Sequence, residues 1–115
     1  MTNTAELIMD NINLIFEALS STPRRKILSY LSATSLTAGK IAERFEMSKP
    51  ALSKHLKILQ TANLIIGEKK GQYMHYSLNR ENLVSNLQDF TANFCPVGSG
   101  IKKESQLIAE KYQGH

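Results

Sequence analysis

Between Ser48 and Leu59 the sequence sets Lys49, Pro50, Ser53, Lys54 and Lys57 around Leu52, Leu56 and Leu59. At about 100° per residue, Leu56 and Leu59 fall within about 40° of Leu52 and make one apolar stripe. Pro50, Ser53, Lys54 and Lys57 fall about 100° to 200° away, on the opposite side, with Lys49 at its edge. No acid lies between Lys49 and Gly67. Exposed helices ordinarily interleave Glu with Lys, because like charges three and four residues apart repel. Duplex DNA removes that repulsion: lysines meet phosphates or guanine edges, and a small serine lets the helix enter a groove. A merely solvated basic face is the plainer alternative.

Charge elsewhere is distributed in the same sense. From Arg24 to Arg80 there are eleven basic residues against Glu43, Glu46 and Glu68, or +8, while the flanks carry −4 and the whole chain +4. Segregation of this kind marks where an anionic polymer sits. Lys69 and Lys70 stand next to Gly71. At an exposed tip they reach phosphates or a minor groove. Tyr73 and Tyr76 alternate with Met74 and His75 and read as sheet packing rather than stacking platforms.

Other chemistries lack their residues. No Gly-rich phosphate loop, paired carboxylates or nucleophile elbow is present, so no enzyme is expected. Cys95 is the single cysteine, and His55, His75 and His115 are widely scattered, so no metal or other cofactor is expected. One thiol also suits a reducing compartment. With no signal-like start and no apolar run of about 18 residues, the expectation is a cytoplasmic protein without membrane contact.

The elements that must position these residues follow from periodicity and punctuation. Residues 6–19 place Leu7, Ile8, Ile12, Ile15, Phe16 and Leu19 at helical spacing. Ser20–Pro23 reads as a stop and a fresh cap, and a second helix over 23–33 buries Ile27, Leu28 and Leu31. Thr37 caps a short third helix, 38–45, and Ser48 a fourth that runs to about residue 62. Residues 64–70 and 72–78 are β-prone runs around Gly71, a hairpin. Helix returns over 80–94 with Leu83, Val84, Leu87, Phe90 and Phe94 on one stripe, then a breaker at 95–100 and a last helix over 101–112. The fold class is mainly α with a β-hairpin wing, in the order helix, helix, helix, helix, strand, strand, helix, helix. That is the winged helix-turn-helix arrangement.

The run from Thr37 to Leu59, and within it Ser53-x-His55-Leu56-x-x-Leu59-x-x-Ala62-x-Leu64, resembles the helix-turn-helix of ArsR-family repressors. The likeness extends from about Phe16 through Leu78. It implies a dimeric winged-helix repressor whose fourth helix enters the major groove, with Lys49, Pro50, Ser53 and Lys54 toward base edges and His55 on the backbone side. His55 lies near about 300° on the wheel, beside the core face, so phosphate contact and structural bonding both remain open. Two departures matter. Where many members read Asp-Pro-Thr-Arg, this chain reads Ser21-Thr22-Pro23-Arg24, which keeps the cap and leaves Arg24 or Arg25 to reach a phosphate. The cysteine pair, or the Asp and His set, through which many relatives sense metal is missing. The chain thus resembles the branch without an obvious inducer site, whose members repress their own operons.

The outer helices carry more apolar surface than a small DNA-reading core covers, which points to a two-fold dimer. The organisation expected is one winged-helix domain over 1–115, with 22–78 as DNA-binding core and 1–20 and 80–112 as dimerisation helices. The partners expected are double-stranded DNA at a palindromic operator and a second copy of the chain. A winged helix serving only as a protein–protein module is the competing reading.

Overall fold

The computed structural model describes the backbone of residues 4–94 and 100–113, and the side chains of 11–94 and 103–111. The elements are α1 (Thr4–Leu19), α2 (Thr22–Tyr30), β1 (Leu36–Thr37), α3 (Ala38–Ala42), α4 (Lys49–Thr61), β2 (Ile65–Lys70), β3 (Tyr73–Leu78), α5 (Arg80–Ala92) and α6 (Gly100–Gln113). They fall into two units, Met1–Leu83 and Val84–His115.

Local chemistry sets each start in the first unit. The side chains of Ser21, Thr37 and Ser48 accept N–H bonds from Arg24, Lys40 and Ala51, which satisfies an orphan donor in each first turn. Pro23 and Pro50 sit in the first turns of α2 and α4, where a missing N–H costs nothing. Two helices are shorter than their sequence suggests. α2 stops at Tyr30, because Ser32 turns its hydroxyl back onto the Ser29 carbonyl at 2.7 Å and its N–H makes a three-residue bond to the same oxygen at 3.2 Å. α3 stops at Ala42, after which Arg44 and Phe45 close three-residue bonds onto Ile41 and Ala42. The ring of Phe45 meets Tyr30 edge-on at 5.8 Å between centroids.

α4 ends on a left-handed residue, Asn63, at φ 58°. The N–H of Leu64 bonds to the Leu59 carbonyl at 3.0 Å and that of Asn63 to Gln60 at 2.9 Å, a Schellman closure that sends the chain directly into the wing. Asn82 ties this corner down, its amide donating to the carbonyls of Ala62 and Asn63.

The sheet has three antiparallel strands in the order β1-β3-β2. β1 adds a strand that the sequence did not announce, pairing Leu36 with Tyr76 and Thr37 with His75. Lys70 pairs with Tyr73, so Gly71 and Gln72 form a two-residue turn, with positive φ at Gly71 alone among the two. That pattern fits a type II′ turn.

The core of this unit joins Ile15 and Ala18 of α1, Ile27 and Leu28 of α2, Leu31, Ile41 of α3, Leu52, Leu56 and Leu59 of α4, then Ala62, Leu64 and Ile65. Phe16, expected inward, is substantially exposed, because the buried stripe of α1 runs through Ile12, Ile15, Ala18 and Leu19. The expectation for Leu7 and Ile8 lies outside the described side chains. In α5 no side chain is fully buried; Leu83 packs partly against the first unit's core, while Val84 and Phe90 are exposed. In the second unit Phe90 and Phe94 meet edge-on at 5.3 Å, and α6 leaves Leu107 and Ile108 exposed. Cys95 and most of the breaker segment lie outside the described residues. No described helix is long and apolar enough to cross a membrane.

Candidate nucleic-acid interface

The site is built on α4. Leu52, Leu56 and Leu59 are buried, which decides the side of the helix that meets the core. Lys49, Pro50, Ser53, Lys54 and Lys57 are all exposed as a consequence. Burial of one stripe therefore presents the other, and the five side chains occupy one solvent face.

The wing supplies the second cationic element. Lys69 and Lys70 are exposed at the end of β2. Neighbouring strand residues point to opposite faces, so Lys69 shares a face with Met74, and Lys70 with Tyr73. The same parity separates the two tyrosines. Tyr76 packs against the core, whereas Tyr73 is 65% exposed, so sheet packing does not account for Tyr73. Sequence reasoning passed over Tyr73 as a surface group; its odd spacing from Tyr76 was the available signal. It lines a groove of about 340 Å³ with Thr37, Gly39, Lys40 and Glu43. Lys40 and Glu43 stand 3.9 Å apart there, at the outer limit of an ion pair and well solvated.

The two arginines at the start of α2 bond within the fold. Nε of Arg24 donates to the Ala18 carbonyl at 2.8 Å and Nη2 to the Glu17 carbonyl at 3.1 Å. Nη1 of Arg25 donates to the Leu19 carbonyl and its Nη2 to the Thr22 hydroxyl. These carbonyls belong to the last turn of α1, which has no following turn to bond them, and that of Glu17 also accepts from the N–H and hydroxyl of Ser20. Both guanidinium groups thus cap α1.

His55 is half-buried, with Nδ1 3.1 Å from Nη1 of Arg24. An arginine only donates, so Nδ1 accepts and the ring keeps its proton on Nε2. Burial holds the His55 pKa below its ordinary value, and the charges of Arg24 and Lys54 push it the same way. Of the alternatives left open for this residue, structural bonding is the one seen at Nδ1. α4 also borders an apolar groove of about 310 Å³, lined by Leu14 and Glu17 of α1 with Lys54, Lys57, Ile58 and Thr61. Among the described residues no three His, Cys, Asp or Glu side chains gather closely enough to hold a metal ion.

Known proteins share this arrangement. A family model described as bacterial regulatory protein, arsR family, matches residues 21–66, from the cap of α2 into β2. The transcriptional repressor SdpR of Bacillus subtilis is 44% identical over 87 residues, 76% of this chain and 96% of that protein. An ArsR-like transcriptional regulator from Rhodococcus sp. RHA1 superposes with a TM-score of 0.73 at 26% identity, over 91% of each chain. The fold is shared further with the homodimeric winged helix-turn-helix DNA-binding domain of a possible ArsR-family regulator from Mycobacterium bovis. There the TM-score is 0.65 at 18% identity, covering 86% of this chain and 97% of the other. With a capped α4 exposing an acid-free cationic face, a lysine-tipped wing and these relatives, the chain belongs to the arsR family of bacterial regulatory proteins and is a DNA-binding transcriptional regulator.

Proposed function

We propose that this protein is a homodimeric repressor that places α4 in the major groove of a palindromic operator and lays its wing lysines on the flanking backbone. One observation carries the reading: Lys49, Pro50, Ser53, Lys54 and Lys57 share the exposed face opposite the buried leucines of α4. Ser53, Lys54 and Lys49 reach base edges, and Pro50 lines the groove wall. Lys57, Lys69 and Lys70 meet phosphates. Arg24, Arg25 and His55 hold this surface from behind.

The dimer is supported by exposed apolar side chains on the last two helices and the turn after α5, Val84, Phe90, Phe94, Leu107 and Ile108, and by the homodimeric state of the M. bovis domain. Two-fold symmetry sets two reading helices about 34–36 Å apart, one turn of duplex. Repression is supported by the name of the B. subtilis relative. The protein works in the cytoplasm, performs no catalysis, and represses its own operon.

Footprinting on DNA upstream of its own gene tests this. Protection of an inverted repeat with half-sites about 10 bp apart, weakening steeply as salt rises, is the expected result. Salt-insensitive binding to a protein partner, with no protected duplex, would favour an interaction module instead.

A further inference from the structure

Arg24 touches three helices at once. Its backbone belongs to α2, two of its N–H groups end α1 at Glu17 and Ala18, and a third reaches His55 in the middle of α4. His55 directly follows Lys54 and lies two residues before Lys57. We propose that Arg24 is a positioning residue for DNA reading: through His55 it fixes the rotation and depth of α4 against the end of α1, without itself touching DNA. This rests on the assignment of α4 as the reading helix.

The physical case begins with what the core leaves undecided. Leu52, Leu56 and Leu59 hold α4 by apolar contacts, which set a spacing but carry little directional preference. Hydrogen bonds weaken steeply off axis, so the Nη1 to Nδ1 bond resists the small roll or slide that apolar packing tolerates. Base contacts need placement to within about 0.5 Å, so a side chain that restrains α4 sharpens every contact on its face. The planar guanidinium suits the task because its donors diverge in one plane toward fixed acceptors. A lysine ammonium at this position would satisfy one of them at a time. α1 is also expected at the dimer interface, so the same bonds carry the setting of one helix to the other.

The test separates this role from a phosphate contact. Full-length Arg24→Ala, Arg24→Lys, His55→Ala, His55→Asn and the Arg24→Ala/His55→Ala double variant are titrated against the footprinted duplex and a random duplex over a salt series. Melting curves verify folding. Arg24→Ala and His55→Ala each lose about tenfold or more on the specific duplex. Random-duplex affinity and the salt slope are unchanged. The double variant is no weaker than either single one. His55→Asn, whose side-chain oxygen stands where Nδ1 was, restores the affinity that His55→Ala loses; Arg24→Lys does not restore what Arg24→Ala loses.

A salt slope lower by about one unit in Arg24→Ala, with equal loss on both duplexes, would make Arg24 a phosphate contact and overturn the proposal. Additive losses in the double variant, or equal affinities for His55→Ala and His55→Asn, would overturn it as well. Should Arg24→Ala fail to fold, the His55 pair decides alone. If Lys54→Ala abolishes specificity while the Arg24 and His55 variants bind like wild type, only this inference fails. If wild type prefers no duplex, the DNA-reading assignment fails with it.

Discussion

Lys70 and Tyr73 are direct cross-strand partners on either side of the Gly71–Gln72 turn, so an ammonium and an exposed phenol share one face of the wing tip. Lys69, one residue earlier, projects to the other face beside Met74. The two wing lysines therefore straddle the ribbon. A ribbon edge carrying charge on both faces suits a backbone running past it better than a base edge approached from one side.

Replacing Lys69 and Lys70 together with alanine is accordingly expected to weaken specific and random duplex by similar factors. The salt slope should flatten by up to about two units. Titrations at several salt concentrations measure both. Loss confined to the specific duplex would show that the wing reads sequence.

On α4, Ser53→Ala and Lys54→Ala should each weaken operator binding by about 1–3 kcal/mol while leaving the fold and dimer intact. Their side chains lie on the exposed face, away from the leucines that hold the helix. Affinity at fixed salt, together with sedimentation, checks this. Wild-type affinity in both variants would remove α4 from the major groove.

Acid should destabilise the free protein through His55. Its folded pKa lies below the ordinary 6.5, first from burial and then from Arg24 and Lys54. The charged groups acting on it are Arg24 from α2 and Lys54 on its own helix. The unfolded chain thus takes up the proton first. The stability contributed by neutral His55 is complete above 6.5 and is lost as pH falls through the folded value. Melting temperatures from about pH 7.5 down to about pH 5.5 should fall more in wild type than in His55→Asn, which cannot titrate. Equal slopes in the two proteins would refute the assignment.

At the corner between α4 and the wing, Asn63 occupies the left-handed region at φ 58°. Asn63→Ala should cost about 1 kcal/mol, whereas Asn63→Gly should be roughly neutral, because glycine enters this region without a Cβ clash. Urea unfolding of the two variants distinguishes them. Equal loss in both would mean that the asparagine side chain, rather than its backbone angle, holds the corner.

α4 was legible in the sequence because everything that defines it is local. Ser48 and Pro50 mark its start, and leucines four and three residues apart fix which side is buried; the opposite side is then exposed by geometry alone. The hairpin was legible for the same reason, from Gly71 between two β-prone runs. β1 was not, since two residues carry no period, and it becomes a strand only because β3 offers it an edge. The closure at Asn63 needed a left-handed angle that asparagine permits without demanding.

The arginines show the limit most clearly. From sequence, Arg24 and Arg25 are cations near a basic surface, and nothing local distinguishes a phosphate ligand from a helix cap. Tertiary structure placed the end of α1 and the middle of α4 around Arg24, the latter 31 positions away in the chain. A charged side chain with several donors goes where acceptors converge, and that convergence exists only once the helices have packed.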